Sequence, residues 1–344
     1  MAHTEEAQEE ATLRACTIAH HINCPLYLTS LSSKSSVDVV KEKRAKDHVI
    51  FGEITPASLA CDGKEYWNSD WTKAAALVTS PPLRKDQCQD LITSVSKEDE
   101  GLDLVGSCHS TFNARQKALG LKDFTKIPLG VNGVEERMSC IWNECVESGK
   151  MSKERFVSVT STNAAKIFGL FPDKGHIDVG SQADIVIWNP EATKTISSEN
   201  HASKSDLNVF EGMTFKGQAE TVILRGRVVV DEGDLKAVHG FGRYLPLAPY
   251  PIHVYDKIKS RPVLEYHPVI RNEDDLKVNG GDIPPPAPAK SIQPEKAPSQ
   301  QISSIDLKSH PNSPDPPPVM TRTKHRSSIK IRNPPGGRSS GSFW

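Results

Sequence analysis

The chain has 344 residues, of which 42 are basic and 43 acidic, and its formal net charge is −1. That length holds two ordinary domains, or one barrel of about 250 residues plus a tail. The charge balance excludes a polyanion binder acting through its whole surface, so no nucleic-acid partner is expected and any electrostatic partner must meet a local patch.

The seven cysteines (Cys16, Cys24, Cys61, Cys88, Cys108, Cys140, Cys145) are scattered and contain no C-x-x-C spacing. This argues against a zinc or redox motif and for a reducing compartment. The opening Met1-Ala2-His3-Thr4-Glu5-Glu6 is acidic and polar, unlike a secretory signal. No apolar run approaches the roughly 20 residues of a membrane span. A soluble cytoplasmic protein is expected.

From Glu5 to Ile22 the apolar residues Ala11, Ala15, Ile18, Ala19 and Ile22 recur at spacings of three and four, and Asn23-Cys24-Pro25 stops the helix that this predicts. The pair His20-His21 is expected on an exposed edge of it. Leu26 to Leu31 reads as a buried strand. A helix over about Ser35 to Lys46 and a strand over Val49 to Ile54 follow. Beyond Pro81-Pro82 come a helix near Asp86 to Val95 and a third strand from Leu102 to Val105.

Strands alternating with helices argue for a parallel α/β sheet or barrel, with function at the carboxyl ends of the strands. Chemistry is therefore sought at Thr29-Ser30, at Glu53 to Thr55, and at Ser107-Cys108-His109. Further on, Glu135 to Glu147 places Met138, Ile141, Trp142 and Cys145 on one helical face. Thr162 is suited to cap a helix carrying Ala164, Ala165, Ile167 and Phe168. Trp142 and Trp188 are expected in the core.

From Gly175 the texture turns to short β-rich pieces: Ala183 to Trp188, Thr221 to Leu224, a turn at Arg225-Gly226, then Val228 to Val230. These read as hairpins of a small β domain. A closing helix is expected at Ile252 to Lys259. From Pro262 onward lie 15 of the 25 prolines, a composition that cannot bury enough apolar surface to fold. The expected organisation is residues 1–170 as a partial (β/α) barrel, 171–262 as a small β domain with its closing helix, and 263–344 as a disordered Pro/Ser-rich basic tail.

Three stretches are specific: Arg14-Ala15-Cys16-Thr17-Ile18-Ala19 through Asn23-Cys24-Pro25-Leu26-Tyr27, Phe124 to Ser139, and Val159 to Phe168. They resemble the dihydropyrimidinase and collapsin response mediator family. Gly175 to Trp188 is similar to the β-domain segment of cyclic amidohydrolases more widely, and the resemblance spans roughly residues 8 to 262. It implies an α/β fold with a partial amidohydrolase-like (β/α) barrel. Active members of the family would hold two metal ions, which make a hydroxide nucleophile and polarise the ring amide.

Two of the implied ligand positions fall inside the covered region and both differ. Where the resemblance implies a histidine after Cys-Pro-Leu-Tyr, this chain has Ser30. Where it implies an aspartate in a Gly-x-Asp context, this chain reads Gly106-Ser107-Cys108-His109. None of the 12 histidines forms an H-x-H pair. Cys108 and His109 admit two readings, a pair of soft metal ligands or a small buried cysteine beside a hydrogen-bonded histidine. Ser30 as a nucleophile would need an activating base that is not evident. Ser80 and Asn132 resemble the family's substrate-holding positions, which act largely through backbone groups.

The ending Ile331 to Arg338 is similar to the terminal Pro-Pro-Gly-Gly-Arg element of the mediator branch. Thr321 to Trp344 carries Arg322, Lys324, Arg326, Lys330, Arg332 and Arg338 and no acidic residue, so the rest of the chain carries −7. Ser313 precedes Pro314, while Thr321, Thr323, Ser327 and Ser328 lie among the basic residues, which suits protein kinases. The resemblance implies a non-enzymatic chain without metal or other cofactor. Its implied partners are tubulin or microtubules, protein kinases, and family members in homo- or hetero-oligomers, and its implied setting is axon growth. A dihydropyrimidinase or hydantoinase fragment, and a regulatory subunit of longer family oligomers, are the alternatives.

Overall fold

The structure is a computed structural model that describes residues 3–260 apart from 99, 237 and 248. The basic tail and its candidate contact and phosphorylation residues lie outside the described residues. The first helix, α1 (Glu5–His21), is capped by Thr4, whose hydroxyl accepts from the Ala7 N–H at 3.2 Å. Acidic Glu5 and Glu6 at its start and His20 and His21 at its end suit the helix dipole. The short strand β1 (Leu26–Leu28) leads to α2 (Lys34–Arg44), capped by Ser33, and then to β2 (Ile50–Ile54). Thr55 caps α3 (Pro56–Ala60) directly after β2, with Pro56 in the first turn where its missing N–H is harmless. Helices α4 (Trp71–Ala76) and α5 (Cys88–Ser96) precede β3 (Leu104–Val105).

The strands pair in parallel in the order β1-β2-β3, with Tyr27 opposite Phe51 and Ile54 opposite Val105. Side chains alternate across this sheet, as strand geometry requires. Ile50 and Ile54 pack with Val37 and Val40 of α2 and with Leu91, Ile92 and Val95 of α5. Phe51 and Leu104 face the other way, toward Ile167 and Val254. At the amino ends of the strands Arg44 donates to Ile50 O at 2.9 Å and Gly101 O at 2.7 Å and pairs with Asp103. Buried Arg155 donates to Val95 O and Leu102 O. Buried backbone carbonyls require donors of this kind.

Past α6 (Ala114–Lys117), helix α7 (Arg137–Ile141) opens into a π segment at Trp142–Glu147. Helix α8 (Lys153–Val157) continues through a second π segment, Ser158–Thr162, into α9 (Asn163–Ile167). This corrects the reading of Thr162 as a cap: it lies within a continuous helix, and its hydroxyl donates to Gly175 O at 2.6 Å instead. His20 is also not on an open edge. It is half-buried, and its ring stacks on His48 at 3.7 Å.

The β-rich part is longer than its sequence suggests. Strands β4 (Ile185–Thr195), β5 (Thr214–Leu224), β6 (Arg227–Asp231) and β7 (Asp234–Leu235) form an antiparallel sheet in that order. Pro190 is accommodated because β4 shifts register between Asn189 and Thr193, where no ladder donor is needed. Arg225 and Gly226, both at positive φ, make the tight turn between β5 and β6. Helix α10 (Ile252–Lys259) closes the described chain.

The antiparallel sheet packs against the rest at two places, through Trp188 on the core of the parallel sheet and through Phe215 in a separate cluster. Trp142 lies 5.2 Å from the Phe156 ring and 5.6 Å from Trp188, while Cys61 and Cys140 pack with Phe210 and Phe215. Gly217, at φ +86, sits where a Cβ would come within 2.5 Å of the Trp142 ring. Gly217→Ala should therefore destabilise the fold by about 2 to 4 kcal/mol, read as a lower urea midpoint with an unchanged slope.

His253 is exposed by surface area, yet partial desolvation, then the charges of Lys257 and Lys166, hold it below the ordinary histidine pKa. The unfolded chain binds this proton more readily, so stability present at neutral pH is lost as the pH falls below about 6.5. The urea midpoint should drop less on acidification in His253→Gln than in the unaltered chain.

Candidate functional site at the strand ends

The carboxyl ends of β1 and β3 bring Ser30 and Cys108 together, although 78 residues separate them. Ser30 Oγ donates to Cys108 Sγ at 3.3 Å. Both have positive φ, 55° and 45°, a conformation that disfavours ordinary side chains and concentrates at functional sites. Cys108 is exposed, which corrects the reading of a small buried cysteine. His109 is hydrogen-bonded as expected: its Nδ1 accepts from the Gly133 and Val134 N–H groups, each at 3.3 Å. Those bonds place the proton of the neutral ring on Nε2.

Between the two positions lies a cavity of about 10 Å³ lined by Ser30, Ser32, Thr55, Ser58, Ser80 and Cys108, room for about one water. Ser80 thus joins the site. Asn132 is buried, and its Oδ1 accepts from the Val209 N–H at 3.2 Å. Its side chain anchors the β-rich part, a role that its expected use through backbone groups did not include. Asn132→Ala leaves that N–H unpaired and should cost about 1 to 3 kcal/mol, measured by thermal melting.

A hydroxyl and a thiol, in a cavity whose lining has no imidazole or carboxylate, do not fit a two-ion hydrolytic centre, which needs such ligands. Among the described residues no group of three or more His, Cys, Asp or Glu side chains is arranged to hold a metal.

Glu53 and Gly106, at strand ends already named from the sequence, have partners near the site, while Arg137 and Lys117 were not singled out there. Tyr27 OH donates to Glu53, and burial followed by that carboxylate raises the phenol's pKa. A Cβ on Gly106 would fall 2.3 Å from the Glu53 carboxyl carbon. Arg137 donates to Val105 O and Thr160 O, and burial lowers its pKa. Lys117, 1% exposed, is taken up below.

A parallel sheet with its site at the strand ends, joined to an antiparallel sheet, defines an amidohydrolase-like α/β fold. The sequence profile of the amidohydrolase family matches residues 1–229, and the chain belongs to that family. Dihydropyrimidinase of Rattus norvegicus is 49% identical over 257 residues, which cover 75% of this chain and 50% of the relative. Dihydropyrimidinase-related protein 5 of Mus musculus is 39% identical over 359 residues, covering 100% of this chain and 62% of the relative. The crystal structure of dihydropyrimidinase from Brevibacillus agri superposes with a TM-score of 0.68 at 40% identity, covering 71% of this chain and 52% of that one. The chain spans about half the length of the dihydropyrimidinases it matches. Among the described residues no helix is long and apolar enough to cross a membrane.

Proposed function

We propose that the chain is a non-hydrolytic member of the family and acts as a cytoplasmic neuronal adaptor in axon growth and guidance, binding tubulin or microtubules and other family members. The observation that carries the first part is Ser30 in contact with Cys108 at the two strand ends where the resemblance implies an imidazole and a carboxylate. The match to dihydropyrimidinase-related protein 5 runs over the whole chain, tail included, whereas that to rat dihydropyrimidinase covers 75% of it. This favours the related-protein branch. Higher identity to the enzyme, 49% against 39%, favours the second reading, a fragment of a ring-opening hydrolase. A regulatory subunit of longer family oligomers is a variant of the first.

Zinc analysis and a ring-opening assay separate the two readings. The chain should hold no stoichiometric zinc and open neither dihydropyrimidine nor hydantoin rings. About two zinc ions per chain with turnover above a heat-treated control would establish the hydrolase.

The adaptor role rests on the six positive charges between Thr321 and Trp344, which suit the acidic tubulin surface. An oligomer would multiply each weak contact. Phosphates at Ser313, Thr321, Thr323, Ser327 and Ser328, each of about −1.5 to −2, would reverse that charge. The intact chain should pellet with microtubules at low salt. A version ending at Val319 and one with Glu at those five positions should not, and equal pelleting of all three would move the contact to the folded part.

A further inference from the structure

Lys117, 1% exposed, heads the side chains that are almost wholly buried, and no carboxylate forms a salt bridge with it among the described residues. Burying a charge without compensation is prohibitive, so something else must replace its hydration. Three backbone oxygens do: Nζ lies 2.9 Å from Val78 O, 2.8 Å from Pro128 O and 2.9 Å from Gly130 O. An ammonium has three N–H donors and no acceptor, so the match is complete. The Phe112 ring adds a face at 5.7 Å. Burial draws the pKa down to about 8, which leaves the group mostly charged at neutral pH.

The stretches that supply the three carbonyls are also tied to one another and to the Cys108-His109 turn. Val78 O also accepts from the Gly130 N–H at 2.9 Å, and Ser110 N–H donates to Val131 O at 3.0 Å. Val78 leads into Ser80 at the rim of the small cavity, Gly130 leads into Val131 and Asn132, and α6 itself follows the Cys108-His109 turn. Gly130 has no room for a side chain, because a Cβ would lie 2.2 Å from Ser110 O.

We infer that Lys117 is a tethered monovalent cation, whose ammonium fixes the loops around residues 78–80 and 128–132 against one another and so shapes the strand-end face. Carbonyl oxygens that replace a hydration shell are the usual way a protein holds such an ion. Here the ion is carried on a side chain. The face is therefore held in shape by a charge of its own.

The test is hydrogen–deuterium exchange on the full chain, resolved for the segments 76–82 and 128–134. Lys117→Met keeps the bulk of the side chain but supplies no donor, and both segments should exchange about tenfold faster or more, as for a lost charge-assisted hydrogen bond. Lys117→Ala should do the same, and methylammonium should slow exchange again where tetramethylammonium, which has no N–H, does not. Unchanged exchange in Lys117→Met, or an equal response to the two ions, would overturn the inference. If both variants fail to fold, the unaltered chain decides through nitrogen-15 spectra of its lysines. A protected ammonium signal that is missing in Lys117→Arg supports the assignment, and the lack of any protected lysine ammonium at neutral pH refutes it.

Discussion

Parallel pairing of β1 with β2 and of β2 with β3 is the constraint on which the rest depends. It sets the three strand ends on one side, so that residues far apart in sequence, Ser30, Thr55 and Cys108, line a single small cavity. It also buries the strands on both faces, through α2 and α5 on one side and Ile167 with Val254 on the other. Parallel sheets need such double cover. Arg44 and Arg155 secure the opposite end by taking up carbonyls at the amino ends of the strands.

Much of this was legible because it is local. Period-3.6 patterning and the stop at Asn23-Cys24-Pro25 give α1 to within a residue, and Ile252–Lys259 is found as read. The strand ends could be named as the site because alternation of strands and helices fixes where chemistry sits. What could not be read depends on contacts between distant segments. Thr162 has the residue type of a cap, but the chain before it is already helical, so its hydroxyl serves Gly175. Strand β5 begins at Thr214 rather than Thr221, because Lys216, Gly217 and Gln218 look like loop residues until Trp142 is placed over the glycine. Of the two readings of Cys108, that of a small buried residue fails because the residue is exposed in a turn at positive φ, with its thiol on Ser30.

Lys117 shows the same limit from another side. Nothing in its spacing separates it from a surface lysine, since its partners are backbone atoms contributed by other segments. A residue that binds only backbone leaves no mark on the side-chain types around it.

Gly106 precedes the altered ligand position by two residues, and a side chain there would overlap the Glu53 carboxylate, which Tyr27 holds in place. The glycine is therefore required by packing whether or not any reaction occurs beyond it. Steric necessity alone is enough to keep a glycine beside Glu53, so a search that scores Gly106 together with the surrounding Thr111-Phe112-Asn113 would count architecture along with any chemistry.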